Sequence, residues 1–129
     1  MSGFTYAIYH PCTTMKGLPF SEAVQVGNLL YLAGQVGLGD DGKLVHGGIG
    51  PETRQTMENI RAVLERHGSS LDRVVKVTVM LADMKEWGAM NLEYVKFFPT
   101  HLPARSAFGT SGLALGARLE IECIASCDG

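Results

Sequence analysis

Pro103-Ala104-Arg105-Ser106-Ala107-Phe108-Gly109-Thr110-Ser111 and Ala117-Arg118-Leu119-Glu120-Ile121-Glu122-Cys123-Ile124-Ala125 each read as a β-strand, and their pairing decides the fold. The residues between them, Gly112-Leu113-Ala114-Leu115-Gly116, carry glycine at both ends, as a hairpin loop does. The pattern predicts a hairpin with Arg105 near Glu120 across the ladder. Strand side chains alternate between faces, so Leu119, Ile121, Cys123 and Ala125 share an apolar face. Arg118, Glu120, Glu122 and Ile124 fall on the other. A face bearing two carboxylates and an arginine, with Arg105 opposite, is either a solvated surface or a site. The solvated surface is the commoner case, because exposed strand faces are routinely charged.

Immediately upstream, Asp83 and Glu86 have the spacing of a helix capping box. Trp87, Met90, Tyr94, Phe97 and Phe98 supply that helix with an apolar face, and Pro99 stops it. Asn91 lies inside it, where it is either solvated or reaches a ligand; composition favours solvation. Before this helix, Leu71 to Leu81 reads as a strand. Its Val74, Val75, Val77 and Val79 predict burial on both faces. A longer helix is predicted from about Pro51 to His67. Proline suits its first turn, Glu52 its dipole and Gly68 its C-terminal cap. Met57, Ile60, Val63, Leu64 and His67 form its apolar stripe, with Arg54, Glu58, Arg61 and Glu65 on the wet side.

Nearer the N-terminus, Phe4 to Tyr9 is aromatic and β-branched and reads as a strand ended by His10-Pro11. Ser21 to Val26 and Leu29 to Gln35 flank Gly27-Asn28, a two-residue hairpin turn. Gly34 marks a bulge or a close approach of the backbone to a neighbouring strand or ligand. Gly37 to Gly42 fits G-x-G-x-x-G by letter, but no helical period follows, so it is not read as a dinucleotide site.

The order strand, strand, strand, helix, strand, helix, strand, strand predicts an α+β fold. The expected architecture is a two-layer sandwich, one mixed sheet backed by two helices. Nothing remains to cover the sheet's other face, which must meet solvent or another subunit. Self-association with cyclic symmetry is the natural outcome. The 129 residues make one domain, 1–129, large enough for a real core.

A formal net charge of -2 leaves no electrostatic footprint for nucleic acid. No apolar run approaches the roughly 18 residues needed to span a bilayer, and no signal peptide is visible. Cys12, Cys123 and Cys127 read as reduced thiols in a cytoplasmic protein. Cys123 and Cys127 lack neighbours to complete a metal's ligand set, so no metal is expected. His10, His46, His67 and His101 show no metal or catalytic spacing. Neither a nucleophile elbow nor a P-loop occurs.

The chain from about Lys16 to Ala125 resembles the Rid (YjgF-type) family of enamine and imine deaminases. The most specific residues are Pro103-Ala104-Arg105-Ser106, then Leu113, then Leu119-Glu120-Ile121. Phe20-Ser21-Glu22-Ala23-Val24, Leu32-Ala33-Gly34-Gln35, Gly47-Gly48-Ile49 and Asn91-Leu92-Glu93-Tyr94 support them. The resemblance implies a chorismate-mutase-like homotrimer with sites between subunits. It implies hydrolysis of 2-imino acids and 2-aminoacrylate-type enamines to 2-keto acids and ammonia, with no cofactor. Arg105 would hold the substrate carboxylate and Glu120 would serve the attacking water. Phe20, Ser21, Gly34, Asn91 and Ala107 would bind substrate. The chain departs from the family at three positions. The family often has tyrosine at Phe20, serine at Ala33, and cysteine, serine or threonine at Ala107. A second reading is a non-catalytic trimer that binds small carboxylates or partner proteins. A ribonuclease, also a theme of the family, is disfavoured by the acidic balance and the lack of a catalytic histidine pair.

Overall fold

The structure is a computed structural model and describes residues 6–128. Its elements are β1 (Ala7–Pro11), β2 (Ser21–Val26), β3 (Leu29–Gln35), α1 (Ile49–Arg66), β4 (Val74–Leu81), α2 (Trp87–Tyr94), β5 (Ala104–Gly109) and β6 (Leu119–Ser126). Short 3-10 turns precede β4 and β6 and flank α2 on both sides. This is the element order expected from the sequence. The first strand lies later than expected: it runs through His10-Pro11, and Phe4 and Thr5 lie outside the described residues.

One six-stranded mixed sheet has the order β1-β2-β3-β6-β4-β5. The predicted hairpin between the last two strands does not form, because β4 lies between them. β5 pairs with β4 in parallel, Arg105 opposite Val77. β6 pairs with β4 on its other side, antiparallel, Cys123 opposite Val77. The intervening α2 supplies the crossover that a parallel pair requires.

Both helices back one sheet face. Met57, Ile60, Val63 and Leu64 of α1 are buried against Leu30, Leu32, Val77, Val79, Ile121 and Cys123. Truncating such a residue to alanine is expected to cost about 2–5 kcal/mol. α1 begins at Ile49, two residues before Pro51, and His67 is its C-cap. Gly68 follows in the left-handed region, φ 78°, where a side chain would be strained. Glu52 is only 4% exposed and does more than complement the dipole. It accepts from the Arg118 backbone N–H at 2.6 Å and so pins the approach to β6.

In one chain β4 is buried on the helix face alone. Val75, at an irregularity in the β4–β6 register, is half exposed, contrary to expectation. The face away from the helices carries Tyr9, Val24, Tyr31, Ile124, Met80 and Phe108 among its outward residues. Of these, Tyr9, Tyr31 and Phe108 are exposed. Among the described residues no helix is long and apolar enough to cross a membrane. Cys12, Cys123 and Cys127 are free thiols.

Candidate functional site

Arg105 lies on β5, at the edge of the sheet, and its row partners Val77 and Cys123 are buried beneath the helices. Residues opposite one another on paired strands point to the same face, so Arg105 faces α2. There Trp87, Asn91 and Tyr94 recur at i, i+4 and i+7, one face of a helix. Arg105 Nη1 donates to Asn91 Oδ1 at 2.7 Å. The guanidinium lies over the Tyr94 ring at 4.8 Å and the Trp87 ring at 5.8 Å. Asn91 therefore orients a cation and is not merely solvated. Ala107, two residues along β5, is partly buried against the core on the same face.

Charge pairing sets Arg105 apart. Arg54 pairs with Glu93, Arg61 with Glu58, Arg66 with Glu22, Arg73 with Asp128 and Arg118 with Glu86. Arg105 is the one arginine without a carboxylate partner among the described residues. Two aromatic faces and one amide oxygen at Nη1 hold it, and its remaining donors have no carboxylate partner among the described residues. Tyr94 is 5% exposed, and its hydroxyl has no hydrogen-bond partner of good geometry. Burial pushes that phenol up to about 12, although the nearby Arg105 charge lowers it.

Glu120 occupies the other face of the sheet. Its row partners are Met80 on β4 and, beyond it, Phe108 on β5. Within one chain Arg105 and Glu120 thus point away from one another, correcting the cross-ladder pair expected from a hairpin. Glu120 makes no hydrogen bond or ion pair among the described residues. Burial, and then the charge of Glu122, raise its carboxyl above the ordinary value. Its floor is Gly34: a Cβ there would overlap Glu120 Oε2. The β3–β6 register slips between Leu32 and Gln35, so Gly34 marks a bulge, and what approaches closely is a side chain.

Phe20 precedes β2 and is 51% exposed. Ser21 opens β2 opposite Pro11. β2 and β3 pair as far as Ala23 opposite Leu32, and two residues beyond on each strand stand Ser21 and Gly34. The fold thus gathers two separate clusters: Arg105 with Asn91 and Ala107, and Glu120 with Gly34. Two surface clefts lie elsewhere. One of about 260 Å3 is lined by Arg61, Phe97 and His101, and one of about 370 Å3 by Arg73, Leu102 and Pro103; neither includes Arg105 or Glu120.

Sequence reading missed two features. The apolar stripe read for α2 gives Trp87 and Tyr94 no role beyond the core, although their i, i+4, i+7 spacing with Asn91 is a usable signal. His10 and His67, distant in sequence, stack with ring centroids 4.1 Å apart. No short-range pattern reports that contact.

The chain and its fold match a known class. The profile of the endoribonuclease L-PSP family matches residues 15–127, and the chain belongs to this family, the Rid (YjgF-type) proteins. Protein HMF1 of Saccharomyces cerevisiae is 46% identical over 107 residues, 83% of either chain. The 2-iminobutanoate/2-iminopropanoate deaminase of Mus musculus is 44% identical over 108 residues, 83% of this chain and 80% of that protein. The crystal structure of RidA from an Antarctic Psychrobacter superposes with a TM-score of 0.81 at 34% identity, covering 92% of this chain and 94% of that one.

Proposed function

We propose that this protein hydrolyses 2-imino acids and their 2-aminoacrylate-type enamines to 2-keto acids and ammonia. The observation that carries this reading is Arg105, an oriented guanidinium with no carboxylate partner. A substrate carboxylate matches its fork bidentately. Glu120 supplies the complementary group, a partly desolvated carboxyl held above its ordinary value. Such a group exchanges protons closer to neutral pH.

Water adds its oxygen to C2 of the iminium, and Glu120 takes the proton released. The protonated Glu120 then delivers that proton to the nitrogen of the carbinolamine. The C2–N bond breaks with its electron pair on ammonia. The hydroxyl oxygen becomes the keto oxygen as its proton leaves to water. No redox change occurs, and water is the only co-reactant.

Arg105 and Glu120 lie on opposite faces of one sheet, so one chain does not present both to one substrate. The reading therefore includes a homotrimer in which Arg105, at the open β5 edge, meets Glu120 of another copy. The exposed Tyr9, Tyr31 and Phe108 support burial of that sheet face in an assembly. Mouse and human relatives bear the name 2-iminobutanoate/2-iminopropanoate deaminase, which supports the reaction class. A non-catalytic carboxylate-binding trimer is the second reading. Phe20 and Ala107 favour it, since neither side chain offers a polar atom to water.

The test couples a serine or threonine dehydratase to this protein and follows decay of the imine in the presence of semicarbazide. Faster formation of the 2-keto acid at the expense of the semicarbazone supports the deaminase. Trp87, the chain's single tryptophan, lies beside Arg105 and reports binding of a 2-keto acid by fluorescence. Binding without turnover selects the second reading.

A further inference from the structure

Glu22 is 3% exposed, and the proposed chemistry does not use it. Its two oxygens gather three residues from two segments, the end of α1 and the loop after β1. Arg66 donates from Nε to Oε2 at 3.2 Å and from Nη2 to Oε1 at 3.1 Å. His67 Nε2 lies 2.6 Å from Oε2. Thr13 donates to Oε1 from its backbone N–H at 3.3 Å and from its hydroxyl at 3.4 Å. His10 of β1 stacks on the far side of this cluster, against His67.

These contacts share one geometric consequence. Residues 12–20 leave β1 after Pro11 and return to β2 at Ser21. Thr13 ties the start of that excursion to Glu22. Its end, Phe20-Ser21, is covalently adjacent to Glu22. Cys12 Sγ, 3.6 Å from the Phe20 carbonyl oxygen, links the two ends directly. A single carboxylate therefore holds both ends of the excursion against the C-terminus of α1.

We propose that Glu22, gripped by Arg66 and His67, is a positioning residue that fixes Phe20-Ser21 for substrate binding. The inference rests on the deaminase reading, because that reading gives Phe20-Ser21 a substrate to meet. Burial alone would raise the Glu22 carboxyl. The bonds from Arg66, His67 and Thr13, with the Arg66 charge, outweigh burial and hold it below its ordinary value. The Glu22 carboxylate is thus ionised throughout the neutral range.

The test uses the full chain with Glu22→Gln, Arg66→Ala and the double variant. Each is assayed for kcat and KM with the coupled dehydratase. Each is also titrated with 2-ketobutanoate by Trp87 fluorescence. Both single variants are expected to raise KM and the 2-ketobutanoate Kd about 10-fold with kcat nearly unchanged. The double variant is expected to be no worse than either single one, because the pair acts as a unit. Arg66→Lys, which keeps a cation at the clamp, should recover part of the loss. Arg66 is a third exposed, so its truncation tests the clamp should Glu22→Gln not fold. An active wild type whose variants melt lower but keep KM and Kd overturns the positioning role and leaves the deaminase intact. A wild type that neither turns over imine nor binds 2-ketobutanoate removes both readings.

Discussion

The carboxylate of Glu120 fills the space that a side chain at position 34 would need, so Gly34 and Glu120 form one interlocked pair across β3 and β6. Gly34→Ala is therefore expected to act through Glu120. The added methyl must push the carboxylate aside, and kcat should fall at least about 10-fold while the chain still folds. Gly34→Ala combined with Glu120→Ala should melt higher than Gly34→Ala alone, because the clash is gone. Kinetics and thermal melts of the three variants check this. Unchanged kcat in Gly34→Ala would show that the carboxylate position does not matter to the reaction.

Arg105→Ala should lower kcat/KM about 100-fold or more, since a charge-assisted bidentate contact is lost. Arg105→Lys should recover only part, because an ammonium is a point charge without the fork. The guanidinium also packs on Tyr94 and Trp87, so a modest fall in Tm is expected with the alanine. A well-folded Arg105→Ala with wild-type turnover would leave this arginine as a structural cation only.

Glu120→Gln should stabilise the protein at neutral pH while removing turnover. The folded carboxyl binds its proton more tightly than the unfolded one, whose ordinary value is 4.5. Ionised Glu120 thus opposes folding. That penalty is absent below pH 4.5, grows as pH rises through the folded value and is complete above it. The Tm difference between Glu120→Gln and wild type should be positive at pH 7 and vanish near pH 4. The opposite sign holds for Glu22, whose carboxyl is held below its ordinary 4.5. Glu22→Gln should melt lower than wild type at pH 7, and the gap should close only as pH falls below that value.

Phe20→Tyr adds a hydroxyl at a ring that is half exposed in the single chain. If the hydroxyl reaches the substrate or its water, kcat/KM should rise by up to about 10-fold, the scale of one neutral hydrogen bond. An unchanged or lower rate means that the pocket has been reshaped around phenylalanine.

Light scattering should give about three times the 13.9 kDa chain mass. A monomer at micromolar concentration would leave Arg105 and Glu120 on opposite faces of an isolated sheet, with no site between them.

Local chemistry made much of this protein legible in the sequence. The apolar stripe of α1, its closing Gly68, the Gly27-Asn28 turn and the alternation of β6 all emerged as read, because each depends on neighbours within a few residues. The motif around Arg105 and Glu120 pointed to the family for the same reason. Tertiary structure alone decided which strands are neighbours. Gly112 and Gly116 suggest a hairpin, yet β4 takes the place between β5 and β6, where its buried Val77 and Val79 are flanked by strands on both sides. That insertion turns Arg105 toward Asn91 and Tyr94 on the helix face and leaves Glu120 on the other. Glu22, Arg66, His67 and Thr13 likewise meet only because β2 crosses the end of α1. Sequence spacing encodes the face along which a residue points, but strand order and long-range charge pairing follow from how the whole core closes.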